Sequence, residues 1–98
     1  METPELRPAL QVFVCTNLRE NGKECCGNVR GMEIFRALKD WVRDRGLSRS
    51  VWVTRTGCMT FCNDVGSTLV IHPQNIWMSK VTLSDLPQVQ EEILTLAR

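Results

Sequence analysis

Two short β-branched runs, Leu10-Gln-Val-Phe-Val-Cys15 and Val51-Trp-Val-Thr54, bracket a segment whose apolar residues recur at helical spacing. That succession constrains the chain more than any other feature. From Met32 onward, Ile34, Phe35, Leu38, Trp41 and Val42 fall on one face and Arg36, Lys39, Asp40, Arg43 and Asp44 on the other, which predicts an amphipathic helix stopped by Gly46. A strand, a helix and a second strand of this length close as a right-handed parallel crossover. The carboxyl ends of both strands then lie at one edge of one sheet. Leu69-Val-Ile-His72 and Ile76-Trp-Met-Ser79, separated by Pro73-Gln-Asn75, read as a hairpin. A last helix is expected with Leu86, Val89, Ile93 and Leu96 as its buried stripe, capped at Thr82 or Ser84, where Thr82 and Asp85 resemble a capping box. The order β, α, β, β, β, α predicts an α/β domain with a four-stranded mixed sheet and two main helices.

The chain has 98 residues, which is one domain's worth against a usual range of roughly 50–200. Residues 1–9 read as a polar leader and residues 10–98 as the domain. Five cysteines accompany a single histidine, and the predicted topology gives them a common place. Cys15 ends the first strand, Cys58 and Cys62 sit just beyond the second, and Cys25 and Cys26 sit in an irregular loop of about 15 residues leading into the helix. All five thiols converge on the edge where such sheets carry their sites. An odd count cannot pair fully within one chain, and the acidic, proline-punctuated start has no apolar h-region, so a cytoplasmic, reducing location is expected. Converging thiolates repel one another unless a cation or a cluster neutralises them. Four cysteines could hold two iron ions bridged by two sulfides, two thiolates per iron, or a tetrahedral zinc. The CxxxC spacing of Cys58 and Cys62 leaves both open, and is unusual for a dithiol enzyme.

Three stretches carry a resemblance. Val12-Phe-Val-Cys-Thr-Asn17, Thr56-Gly-Cys-Met-Thr-Phe-Cys62 and Leu69-Val-Ile-His-Pro-Gln-Asn-Ile-Trp77, with Val81-Thr82 and a closing acidic helix, resemble the thioredoxin-like [2Fe-2S] ferredoxins from about Leu10 to Leu96. The resemblance implies a thioredoxin-like fold, one [2Fe-2S] cluster on four cysteines, single-electron transfer to a redox partner protein, and a possible homodimer. Its ligands fall on Cys15, Cys58, Cys62 and, aligned through Met32-Glu-Ile-Phe35, on Cys26; doublets in some relatives make Cys25 the alternative. Four thiolates, two sulfides and two ferric ions leave an oxidised centre at −2 and a reduced one at −3. Adding charge to an anion favours a low potential, and all-cysteine two-iron centres can sit near roughly −400 mV. The chain departs from the family at Gly66-Ser67, where Gly-Pro is usual, at His72-Pro73 in place of Tyr-Pro, and at Trp77-Met78 in place of Trp-Tyr.

Other functions find less support. Twelve Lys and Arg against eleven Asp and Glu leave a charge of +1, which disfavours generic nucleic-acid binding. Apolar runs such as Val12–Val14 and Leu69–Ile71 have three residues, far short of the roughly 20 that cross a bilayer. A Rieske-type centre needs two histidines, so His72 reads as a hairpin residue. Arg19, Lys23, Arg30 and Arg55 lie near the proposed centre, interleaved with Glu20, Glu24 and Asp64, and read as a mixed solvated surface. Trp41 is expected in the core, Trp52 half-buried in a strand, and Trp77 either in the core or at a partner contact. No nucleophile with a base, phosphate loop or carboxylate pair stands out, so the chain reads as a carrier and not as an enzyme.

Overall fold

The computed structural model describes residues 1–6, 8–16, 31–57 and 66–97. The elements run β1 (Leu10–Cys15), α1 (Gly31–Asp44), β2 (Val51–Thr56), β3 (Ser67–His72), β4 (Ile76–Val81), a 3-10 turn (Leu83–Asp85) and α2 (Leu86–Leu96). They form one mixed sheet in the order β2-β1-β3-β4, with β1 parallel to β2 and antiparallel to β3, and β3 antiparallel to β4. This is the predicted four-stranded sheet with two helices. The crossover from β1 through α1 to β2 sets the ends of those strands side by side, Cys15 opposite Thr56.

Strand alternation decides which face the helices cover. Leu10, Val12 and Val14 of β1, Val51 and Val53 of β2, and Leu69 and Ile71 of β3 share one core with Ile34, Leu38 and Val42 of α1 and Val89 and Ile93 of α2. Both helices therefore pack on one face. The predicted helical stripes are those buried, with Phe35, Trp41, Leu86 and Leu96 packed along their margins. Each such aliphatic side chain contributes about 1.5–3 kcal/mol when fully buried. The alternate positions, including Gln11 and Phe13 of β1, lie on the other face, where Trp52 and Trp77 are 38% and 49% exposed. No helix among the described residues covers that face or is long and apolar enough to cross a membrane.

Two local departures from the sequence reading have physical causes. The last helix does not start at its cap, because a 3-10 turn intervenes. Asp85 accepts from the Thr82 backbone N–H at 2.9 Å as the capping box requires, but Leu86 N–H bonds Leu83 O. Pro87 has no N–H to make the α-type bond to the same carbonyl, so α2 begins only at Leu86. The strands also outrun their predicted ends, β2 to Thr56, β3 from Ser67 and β4 to Val81. Pairing with a neighbour extends a strand beyond its apolar residues, a tertiary effect that local composition does not carry.

On the outer side of β2, Lys39 of α1 reaches over the Phe35 ring at 5.7 Å and donates from Nζ to Val53 O at 3.3 Å. Its polar-face placement by periodicity is right, but its ammonium group is occupied by the sheet edge.

Candidate metal centre

Cys15 is the last residue of β1 and only 1% exposed. Three connections meet around it. Thr16 donates to Thr56 O from both its backbone N–H, at 3.0 Å, and its Oγ1, at 3.2 Å, which binds the exit of β1 to the exit of β2. From the start of β3, the buried Ser67 hydroxyl donates to Cys15 O at 3.0 Å. Gly66 precedes it in close approach to β4, where any Cβ would run into the backbone of Lys80 and Val81. This contact coincides with a register irregularity between Ser67 and Leu69 and with a left-handed φ of 57° at Lys80. Glycine alone allows that approach. The departure at Ser67 from the family's usual proline thus supplies a hydroxyl bond that proline cannot make.

The remaining cysteines, Cys25, Cys26, Cys58 and Cys62, lie outside the described residues, as do Arg19, Lys23, Arg30, Glu20, Glu24, Asp64 and the irregular loop expected before α1. The flanks of their segments are described. Residues 17–30 follow Thr16 and precede Gly31, the first residue of α1; residues 58–65 follow Gly57 and precede Gly66. Thr16, Thr56 and Ser67 are bonded into the same end of the sheet as Cys15. A right-handed crossover brings the start of α1 to that end as well. Among the described residues no group of three Cys, His, Asp or Glu side chains could hold a metal.

His72 is remote from this end. It pairs with Gln11 across β1 and β3, and its ring meets Phe13 edge-on at 5.5 Å. Four residue steps along β1, from Gln11 to Cys15, separate that level from the thiol's, about 13 Å at roughly 3.3 Å per residue. The hairpin reading holds for it. Trp41 packs against the core with the Arg45 guanidinium 5.7 Å from its ring. Trp77 is exposed, its indole N–H bonded to Asn75 Oδ1 at 2.9 Å, so the core reading for it is set aside. Sequence reasoning missed the Ser67 and Thr56 contacts to the end of β1. The departure at Gly66-Ser67 was the one local signal that could have pointed to them.

A strand and its crossover helix, followed by a hairpin and a closing helix over a mixed sheet, with a cysteine at the end of the first strand, define the thioredoxin-like class of fold. Solved structures agree. The wild-type thioredoxin-like [2Fe-2S] ferredoxin from Aquifex aeolicus superposes with a TM-score of 0.78 at 28% identity, over 91% of this chain and 88% of that one. A further structure of a thioredoxin-like [2Fe-2S] ferredoxin from Aquifex aeolicus gives 0.77 at 28% identity, over 87% and 79%. In sequence, the chain is 33% identical to a 2Fe-2S ferredoxin of Clostridium pasteurianum across 88% of its own length and 85% of the relative's. It is 30% identical to a 2Fe-2S ferredoxin of Aquifex aeolicus across 85% and 77%. No family model matches the chain. The chain belongs to the thioredoxin-like [2Fe-2S] ferredoxin family.

Proposed function

We propose that this protein is a single-electron carrier that holds one [2Fe-2S] cluster through Cys15, Cys26, Cys58 and Cys62, with Cys25 the alternative to Cys26. The observation that carries the reading is the position of Cys15. A buried thiol ends the parallel pair, and both segments bearing the other cysteines leave from and return to residues at that end. The donor set fits the cluster, because five cysteines and one histidine suit an all-thiolate centre and not a Rieske one. When bound, such a cluster accepts and returns one electron, near roughly −400 mV where all ligands are cysteine.

The chain's own residues have the tasks of holding and shielding. Burial of Cys15 keeps water from competing as a ligand in place of its sulfur. The Ser67 and Thr16 hydrogen bonds fix the backbone from which that thiolate projects. The first turn of α1 presents backbone N–H groups, whose partial positive charge favours an anionic neighbour. The carrier acts in the cytoplasm on a redox partner protein, and the ferredoxin domain spans residues 10–98. The face with Trp52 and Trp77, which no helix among the described residues covers, supports a homodimer, which sedimentation equilibrium would read as twice 11.2 kDa.

Anaerobically purified protein should be reddish-brown, contain about two iron and two labile sulfide per chain, and bleach with dithionite to a spin-half species. Stoichiometric zinc without sulfide would replace this reading with a structural zinc site.

A further inference from the structure

The peptide unit joining Cys15 to Thr16 is gripped from both sides. Its carbonyl accepts the Ser67 hydroxyl at 3.0 Å on the β3 side, and its N–H donates to Thr56 O at 3.0 Å on the β2 side. In a trans peptide the C=O and N–H point in opposite directions, so two strands hold one plane. Ser67 is fully buried, and its bond spans 52 residues of sequence. Among the described residues, no buried side-chain polar atom lacks a partner. We infer that Ser67 is a positioning residue for the Cys15 thiolate.

The Cys15 carbonyl and side chain share one Cα, so fixing the peptide plane at that carbon limits the directions in which the Cα–Cβ bond can aim. Ser67 also follows directly on Gly66, where residues 58–65 rejoin the sheet. Gly66 is in turn pressed against Lys80 and Val81, which fixes the start of β3 and with it the place of the Ser67 hydroxyl. Rotating a ligand's direction alters metal–sulfur overlap and the hydrogen bonding around the sulfur, both of which tune a cluster.

The inference rests on Cys15 as a cluster ligand, and the test separates the two claims. The full chain is purified anaerobically as wild type, Ser67→Ala and Ser67→Thr. Ser67→Ala should keep two iron per chain but change the visible circular dichroism and the reduction potential, and release iron to a chelator about tenfold faster, the size expected for one lost buried hydrogen bond. Ser67→Thr keeps the hydroxyl and should restore all three. A Ser67→Ala protein with a lowered melting temperature but wild-type dichroism, potential and release rate would overturn the positioning role. If the wild-type chain holds no iron, the failure belongs to the cluster reading. The clamp is then read by hydrogen exchange at the Thr16 N–H, expected to be about tenfold faster in Ser67→Ala, and unchanged exchange there would overturn it.

Discussion

Where β1 begins, short local turns close the sheet beside one long-range bond, from Leu10 to Ser50; where β1 stops, the bonds around Cys15 and Thr16 join residues far apart in sequence. At the first end Gly46, with a left-handed φ of 70°, turns the chain out of α1. Leu47 N–H reaches back to Val42 O, Ser50 N–H bonds Leu47 O, and Ser50 O receives Leu10 N–H. The hairpin closes the same end with residues 73–75, Asn75 supplying a φ of 59°. At the second end Thr16 and Thr56 are 40 residues apart, and Cys15 and Ser67 are 52 apart. Local turns need only their own residues, whereas the second end forms only once three strands are in register. Its stability is therefore that of the whole sheet, and its geometry is fixed by the fold and not by any one loop.

The contrast can be broken most severely at the cysteines. Cys58→Ala or Cys62→Ala should abolish cluster assembly, since each removes one of the four proposed thiolate ligands, which water replaces poorly, while far-ultraviolet dichroism keeps its sheet and helix signal. A full iron and sulfide content in either variant would place the site elsewhere. A smaller effect separates the adjacent pair. With Cys26 as the proposed ligand, Cys26→Ser should put a harder oxygen donor on iron, shift the spectrum and lower the potential, whereas Cys25→Ser should leave both in place. The opposite pattern moves the ligand by one residue, and loss only in the double variant means that either thiol serves.

Gly66→Ala tests the second end without touching a ligand. Its Cβ meets the backbone of Lys80 and Val81, and forcing apart packed backbone should cost about 1–3 kcal/mol, read as a lower urea midpoint. Gln74→Ala is the matching change at the first end. Gln74 is exposed in the hairpin turn, and its substitution should move stability by less than about 0.5 kcal/mol. If Gln74→Ala destabilised as much as Gly66→Ala, the two ends would not differ in the way their hydrogen bonds indicate.

Legibility in the sequence follows the same division. The amphipathic stripe from Ile34 to Val42 and the β-branched run from Leu10 to Cys15 are local signals, and both elements stand where periodicity puts them. Gly46 and Pro73 mark turns because their conformational demands are their own. Ser67, by contrast, is a small polar residue beside a glycine, and its partner lies 52 positions away. No window of sequence contains both. Trp77 shows the complementary difficulty: its hydrophobicity suits a core or a surface equally, and only the absence of a helix on that face among the described residues decides between them.

The Lys39 contact with Val53 O has a consequence for the protein at high concentration. β2 is an outermost strand, and an outermost strand offers unpaired carbonyls and amides as a template on which a second chain can lay a strand of its own. An ammonium group seated on the Val53 carbonyl occupies that template at its middle, and the positive charge repels an identical edge approaching it. The residue that periodicity places among the solvated ones thus sets a charge on the sheet's outer edge, where such charges oppose edge-to-edge pairing, and it does so from the helix that the fold already requires.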